Sequence, residues 1–176
     1  MMAVADTCFI IDWARYTRSR VLFQVFDRVL VPRQVLDEVR REPTVAFVAE
    51  GLARGHLAYY EPTPDALREA DELVLKSLST PSLRRVDLPE AVCLVMGRRL
   101  GFVVLTENLG AIALARSLDE YRGVEVWRSI DVLREAFRRR LLTGDPREEV
   151  ERFSRETKHV FREEEVEEVV RCSRTS

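Results

Sequence analysis

Lysine is almost missing from this chain: Lys76 and Lys158 are the only two among 28 basic residues, and the rest are arginine. Arginine clamps phosphate through two parallel hydrogen bonds and also builds ion-pair networks on heat-stable surfaces, so the bias suits either use. Histidine is just as scarce, and His56 and His159, standing alone, are expected in ordinary surface or half-buried roles. The cysteines Cys8, Cys93 and Cys172 are odd in number and scattered, with no CxxC pair and no histidine cluster nearby. They read as reduced thiols, which argues against a disulfide framework and against zinc chemistry. A glycine-rich phosphate loop is also missing, so a nucleotide-binding enzyme is not expected. No run approaches the roughly 18 uncharged apolar residues of a membrane span, and Met1 to Asp6 shows no basic region followed by a long apolar one. The chain is therefore expected in the cytoplasm, away from membranes. Its net charge of −2 lacks the large basic excess that marks many nucleic-acid binders.

What the chain does have is material for one well-buried core. Over 176 residues, 46% hydrophobic and 33% charged content with seven Gly and seven Pro describes a helix-rich globular domain, too short for two ordinary ones. Met1 to Ala5, Val29 to Val31, Leu57 to Tyr60, Phe102 to Leu105 and Val124 to Trp127 read as short strands. Between them, helices are expected over Cys8 to Trp13, Gln34 to Arg41, Val45 to Arg54, Asp65 to Leu78 and Ala91 to Leu100, then from Leu109 to Ala115 and over Ile130 to Leu142. Ser79 to Arg85 reads as a loop. Such alternation implies right-handed crossovers and a largely parallel sheet. After Thr143 to Pro146 the composition turns to charged helix, Arg147 to Val170, with too few apolar residues for a core of its own. The expected organisation is a domain over 1–142 and a helical extension over 143–176, packed on the domain or on a partner.

Acidic residues recur where the short apolar runs end: Asp6, Glu38, Asp87 with Glu90, and Glu107. The carboxyl ends of parallel strands converge on one crevice, and carboxylates gathered there repel unless a cation lies between them. Holding Mg²⁺ or Mn²⁺ against a phosphodiester is the economical reason to gather them. Each acid also has a structural alternative. Asp6 suits the N-cap of the next helix, and Glu38 suits an ion pair with Arg41. Asp87 and Glu90 around Pro89 form a capping arrangement that leaves open which is the freer acid. Glu107 and Asn108 suit a cap for the helix at Leu109, and the Thr106 hydroxyl is placed to orient a carboxylate. Arg84-Arg85 and Arg98-Arg99 flank the third acidic segment and are the clusters best placed to hold phosphate.

Taken in order, Val4-Ala5-Asp6-Thr7-Cys8, Val31-Pro32 with Val35-Leu36-Asp37-Glu38-Val39, Val86-Asp87-Leu88-Pro89-Glu90-Ala91 and Val104-Leu105-Thr106-Glu107-Asn108 resemble the four motif blocks of PIN-domain nucleases. They also look like those of the VapC toxins of toxin–antitoxin pairs, and the likeness spans roughly Met1 to Leu142. It implies a three-layer α/β sandwich around a mostly parallel sheet of about five strands, with C-terminal helices beyond. It further implies endonucleolytic cleavage of RNA with Mg²⁺ or Mn²⁺. Asp6 matches the first family acid, Glu38 the second, Asp87 or Glu90 the third and Glu107 the fourth, with Thr106 as the accompanying hydroxyl and Asn108 supporting. On this likeness Asp6 and Glu107 would hold a metal directly and Glu38 with Glu90 or Asp87 through water or a second ion, while Arg84 and Arg85 would grip the strand. RNA, an antitoxin protein and a second copy are the implied partners. The fourth block departs from the family pattern, since Glu107-Asn108 stands where Asp-Asp or Asp-Arg is usual, and Pro89 stands where Gly is frequent. Two alternatives follow: a PIN-like module that binds RNA or a partner without hydrolysis, and an RNA-processing nuclease that is no toxin. A phospho-acceptor receiver domain groups acids similarly but needs a lysine after a late strand, and Lys76 and Lys158 both fall in expected helices.

Overall fold

The short valine-rich runs pair into one sheet. A computed structural model describes residues 1–80 and 84–174, so Pro81 to Leu83 of the expected loop lie outside the described residues. The strands are β1 (Met2–Ala5), β2 (Arg28–Pro32), β3 (Leu57–Tyr60), β4 (Val103–Leu105) and β5 (Val126–Trp127). They lie in the order β3-β2-β1-β4-β5, and every pairing is parallel. Parallel sheets need both faces covered, which is why these strands are runs of Val, Leu and Ala without polar alternation. Among the described residues, ten helices supply the cover and complete an α/β three-layer sandwich: α1 (Thr7–Arg15), α2 (Leu22–Val25), α3 (Arg33–Leu36), α4 (Glu42–Ala53), α5 (Pro64–Ser79), α6 (Leu88–Leu100), α7 (Leu109–Ser117), α8 (Ser129–Arg138), α9 (Pro146–Thr157) and α10 (Glu163–Arg174). No helix among the described residues is long and apolar enough to cross a membrane.

The central helix α6 shows how local sequence sets position. Asp87 and Glu90 start it with a reciprocal capping box, Pro89 fills the first turn, and Gly101 at φ 66° stops it. Its Gly97 lies so near β4 that a Cβ there would come within 2.2 Å of Val104 Cγ2. The helix thus rests directly on the strand whose end carries Thr106.

Several boundaries differ from the sequence reading. The helix expected over Gln34 to Arg41 ends at Leu36, and Glu38 stands in the following turn, where Glu38 N–H bonds the Val35 carbonyl. Val35 and Val39 do have helical spacing, but the last turn tightens and the chain leaves it before α4. Ser19–Val21 forms a 3-10 turn that leads into α2, a stretch with no amphipathic signal. The helix expected to reach Leu142 ends at Arg138. Arg140 takes a left-handed φ of 58°, and Leu141 N–H bonds back to the Ala136 carbonyl, a helix stop usually announced by glycine.

The C-terminal helices are docked on the rest. Phe153 is fully buried against Trp13 and Tyr16 of α1 at ring-centroid distances of 5.6 and 4.9 Å. Beside it the Tyr16 hydroxyl donates to buried Glu149 at 2.5 Å, and Arg18 pairs with the same carboxylate. Val150, Phe153, Val166 and Val169 join the apolar cluster that contains the sheet.

Candidate functional site

The strand order reverses direction at β1. From it the chain moves outward to β2 and β3, then returns to place β4 on β1's other side. That switch opens a crevice beyond the carboxyl ends of β1 and β4. Ala5 is in register with Leu105, so the next residues, Asp6 and Thr106, must meet. They do: the Thr106 hydroxyl donates to Asp6 Oδ2, while Asp6 Oδ1 accepts from Phe9 N–H at 2.8 Å as the N-cap of α1. Capping and clustering are therefore compatible roles for one side chain. Asp6 is 1% exposed, and neither oxygen meets a basic side chain among the described residues.

Burial, above all, pushes the Asp6 carboxyl up to about 7, and the like charges of Glu90 and Glu107 add to it against the two hydrogen bonds. The neighbouring Cys8 thiol is likewise pushed up to about 12, first by burial and then by Asp6, Glu90, Asp87 and Asp12. Two different chemical groups thus report one local excess of negative charge.

The third acid is a pair. Asp87 N–H bonds Glu90 Oε2 at 3.0 Å, Glu90 N–H bonds Asp87 Oδ1 at 3.2 Å, and Asn108 Nδ2 donates to Glu90 Oε1. Neither acid is spare: both cap. Glu90 is buried, close enough to Asp6 for its charge to raise the Asp6 pKa, and its own pKa is raised mainly by burial, whereas Asp87 is exposed. Asn108 also caps α7 through Gly110 N–H at 2.6 Å. Glu38 reaches the same crevice from the β2 side, where the Thr7 hydroxyl donates to it at 2.5 Å.

Glu107 faces a different neighbourhood. Its Oε1 accepts from Ser129 N–H at 2.6 Å, and its Oε2 lies 3.2 Å from both Arg128 Nε and His159 Nε2. His159, in the turn between α9 and α10, stands 3.6 Å from Asp12 through Nδ1, and its pKa is raised chiefly by that contact. Arg128 extends the network to Glu165. The fourth acid therefore joins β4, α8 and the C-terminal helices. His159, Arg128, Ser129 and Asp12 are the residues that sequence reasoning left out. His159 looked isolated because its partners are remote in sequence, and only the first-turn position of Ser129 hinted at an N–H donor.

Arg84 and Arg85 run against the first turn of α7, where a Cβ on Gly110 would come within 3.0 Å of Arg84 Cβ and of the Arg85 carbonyl. That places them beside Asn108. Arg98 and Arg99, the other favoured cluster, instead bind Glu69 at 2.7 and 2.8 Å from the far end of α6 and have a structural role.

The donors around Asp6 are hard oxygens, suited to Mg²⁺ or Mn²⁺, and Mg²⁺ commonly binds through one or two carboxylates and retains several waters. Asp6 and Glu90 offer two such carboxylates, although both Glu90 oxygens already accept from Asp87 N–H and Asn108 Nδ2. Among the described residues no three of His, Cys, Asp and Glu stand grouped as a ready-made metal cage. The chain matches no family model and no curated protein sequence.

Proposed function

We propose that this chain is a Mg²⁺- or Mn²⁺-dependent endoribonuclease of the PIN type, acting as the toxin of a toxin–antitoxin pair. The observation that carries the reading is the buried Asp6 carboxylate, which meets no basic side chain among the described residues and whose pKa is raised to about 7 by burial, with the charges of Glu90 and Glu107 adding to it. In this reading Asp6 and Glu90 hold the ion, with Glu38 and Asp87 acting through water from the two lips. The ion supplies a water of lowered pKa and offsets charge developing on the phosphate oxygens. Thr106 holds the Asp6 carboxylate in one orientation, and Asn108 does the same for Glu90. Glu107 positions the end of β4 through Ser129 and Arg128, and so sets Thr106. Arg84 and Arg85 grip the strand beside Asn108.

Cleavage of an end-labelled single-stranded RNA across a Mn²⁺ titration tests this. Wild type cuts, and Asp6→Asn falls at least about 100-fold, the scale expected when a main electrostatic element is lost; an undiminished rate rejects the assignment. A second reading, a PIN-like module that binds RNA or a partner without hydrolysis, is favoured by the internal hydrogen bonds that occupy both oxygens of Glu90 and Glu107. Binding without cleavage at any metal concentration selects it. Growth arrest on expression, relieved by a small protein encoded next to this chain, separates a toxin from an RNA-processing nuclease.

A further inference from the structure

Most arginines of this protein are committed to carboxylates, and two of those that are not line one cleft. Among the described residues the guanidinium groups of Arg40, Arg41, Arg84, Arg85, Arg116 and Arg162 make neither an ion pair nor a hydrogen bond. Arg40 and Arg41 follow Glu38, and Arg84 and Arg85 precede Asp87. Arg116 and Arg162 both line a cleft of about 270 Å³ between α7, α8 and α10. The first four neighbour the acidic segments in the chain, while Arg116, in the last turn of α7, and Arg162, just before α10, share the cleft. Arginines elsewhere, such as Arg98 and Arg99 on Glu69 or Arg138 and Arg139 on Glu135, are neutralised in place.

The cleft has its own charge balance. Arg128 and Arg134 lie inside it, but they are satisfied by its acids: Arg134 holds Asp131 at 2.8 Å and Glu168 at 3.4 Å, and Arg128 holds Glu165 and Glu107. Four arginines and three acids line the cleft, leaving it one positive charge, and Arg116 and Arg162 are the exposed arginines there whose guanidinium groups hold no acid. Leu109, 39% exposed, supplies an apolar patch at the end nearer Asn108. A net positive charge, two unpaired guanidinium groups and the exposed apolar side chain of Leu109 in one cleft together suit a flexible polyanion with apolar faces.

We infer that the α7–α8–α10 cleft is a phosphate subsite for single-stranded RNA, in which Arg116 and Arg162 hold the backbone away from the cleavage point. It rests on the nuclease reading for the strand's identity, and it makes the C-terminal helices part of the substrate surface, since Arg162 precedes α10. The rim arginines beside the acids then orient the strand across Asp6, and the cleft fixes its onward path. For single strands, each phosphate contact lowers the slope of log affinity against log salt by roughly 0.7, so two contacts amount to about 1.4.

The test is fluorescence anisotropy with a labelled 12-nucleotide oligouridylate in EDTA, from low to high salt, on the full chain. Arg116→Ala with Arg162→Ala should bind more weakly at low salt and lose about 1.4 from the slope. Arg122→Ala, removing an arginine paired with Asp119, should match wild type. Thermal melts confirm that all variants are folded. A double variant with the wild-type slope, or a wild type that does not bind this RNA at low salt, overturns the subsite. Wild type that binds with the expected slope loss in the double variant, yet leaves RNA intact with Mn²⁺, supports the subsite while defeating the nuclease.

Discussion

Replacing Asp6 by Asn should make the metal-free protein more stable, although it removes the residue on which the proposed chemistry depends. Folding raises the Asp6 pKa from 3.8 to about 7, chiefly through burial. The folded state therefore keeps a proton that the unfolded chain has released. Stability is unaffected below about pH 4, falls as pH rises from there towards 7, and stays reduced above. About three pKa units at roughly 1.4 kcal/mol each put the full penalty near 4 kcal/mol. Asn retains the N-cap bond from Phe9 N–H and carries no charge, while the Thr106 hydroxyl must turn from donor to acceptor, at a cost of about 1 kcal/mol. The net expectation is a gain of roughly 3 kcal/mol at pH 8, or about 6–12 °C in Tm for a chain of this size. Urea unfolding in EDTA at several pH values measures it, because other titrating groups are common to both proteins and cancel. The gap between variant and wild type should open between pH 4 and 7 and then level. Mn²⁺ should stabilise wild type and leave the variant unmoved. A gap independent of pH, or a variant less stable at pH 8, refutes the reasoning.

Other perturbations bear on separate links. Glu107→Ala leaves Arg128, 14% exposed, and His159 without that carboxylate, so urea unfolding should show a loss of roughly 3 kcal/mol, smaller for Glu107→Gln, which keeps an acceptor for Ser129 N–H. Glu149→Ala should cost about 3 kcal/mol and Tyr16→Phe about 1, both read from the denaturation midpoint, if the C-terminal helices belong to the same cooperative unit. Gly97→Ala should cost about 1–3 kcal/mol in the same assay, because the new methyl meets Val104. The His159 pKa is raised as well, so its effect on stability runs in the same pH direction as that of Asp6. Its contribution is fully present below the unfolded value of 6.5 and is lost as pH rises through the folded value, so His159→Ala should be most damaging in mildly acidic solution.

The sheet was legible because its strands are short apolar runs, β1 closed by Asp6, β2 by Pro32 and β3 by Glu61, and the buried β1, β2 and β4 show no polar alternation. The pairing of Asp6 with Thr106 was not legible, because the sequence attached that hydroxyl to Glu107 and the register that brings β1 and β4 ends together is tertiary. Glu38 was placed in a helix because Val35 and Val39 keep helical spacing, while the bond that holds it, from Thr7, is tertiary. The helix stops at Arg140 and Lys158 carry left-handed φ without glycine, so nothing in composition marks them. Glu107 was read with the other acids because an acid after β4 faces the crevice by rule. The guanidinium, imidazole and helix N-terminus that claim it come from segments that pattern reading treated as separate.

Direct binding of Mn²⁺, followed by electron paramagnetic resonance at pH 6 and pH 8, tests the central claim most closely. A cation held by Asp6 must displace its proton, so wild type should bind at pH 8 and lose close to tenfold in affinity at pH 6, one unit below a pKa of about 7. Asp6→Asn should not bind at either pH. Equal binding by the two proteins, or none by wild type at pH 8, would contradict a metal site built on the buried carboxylate.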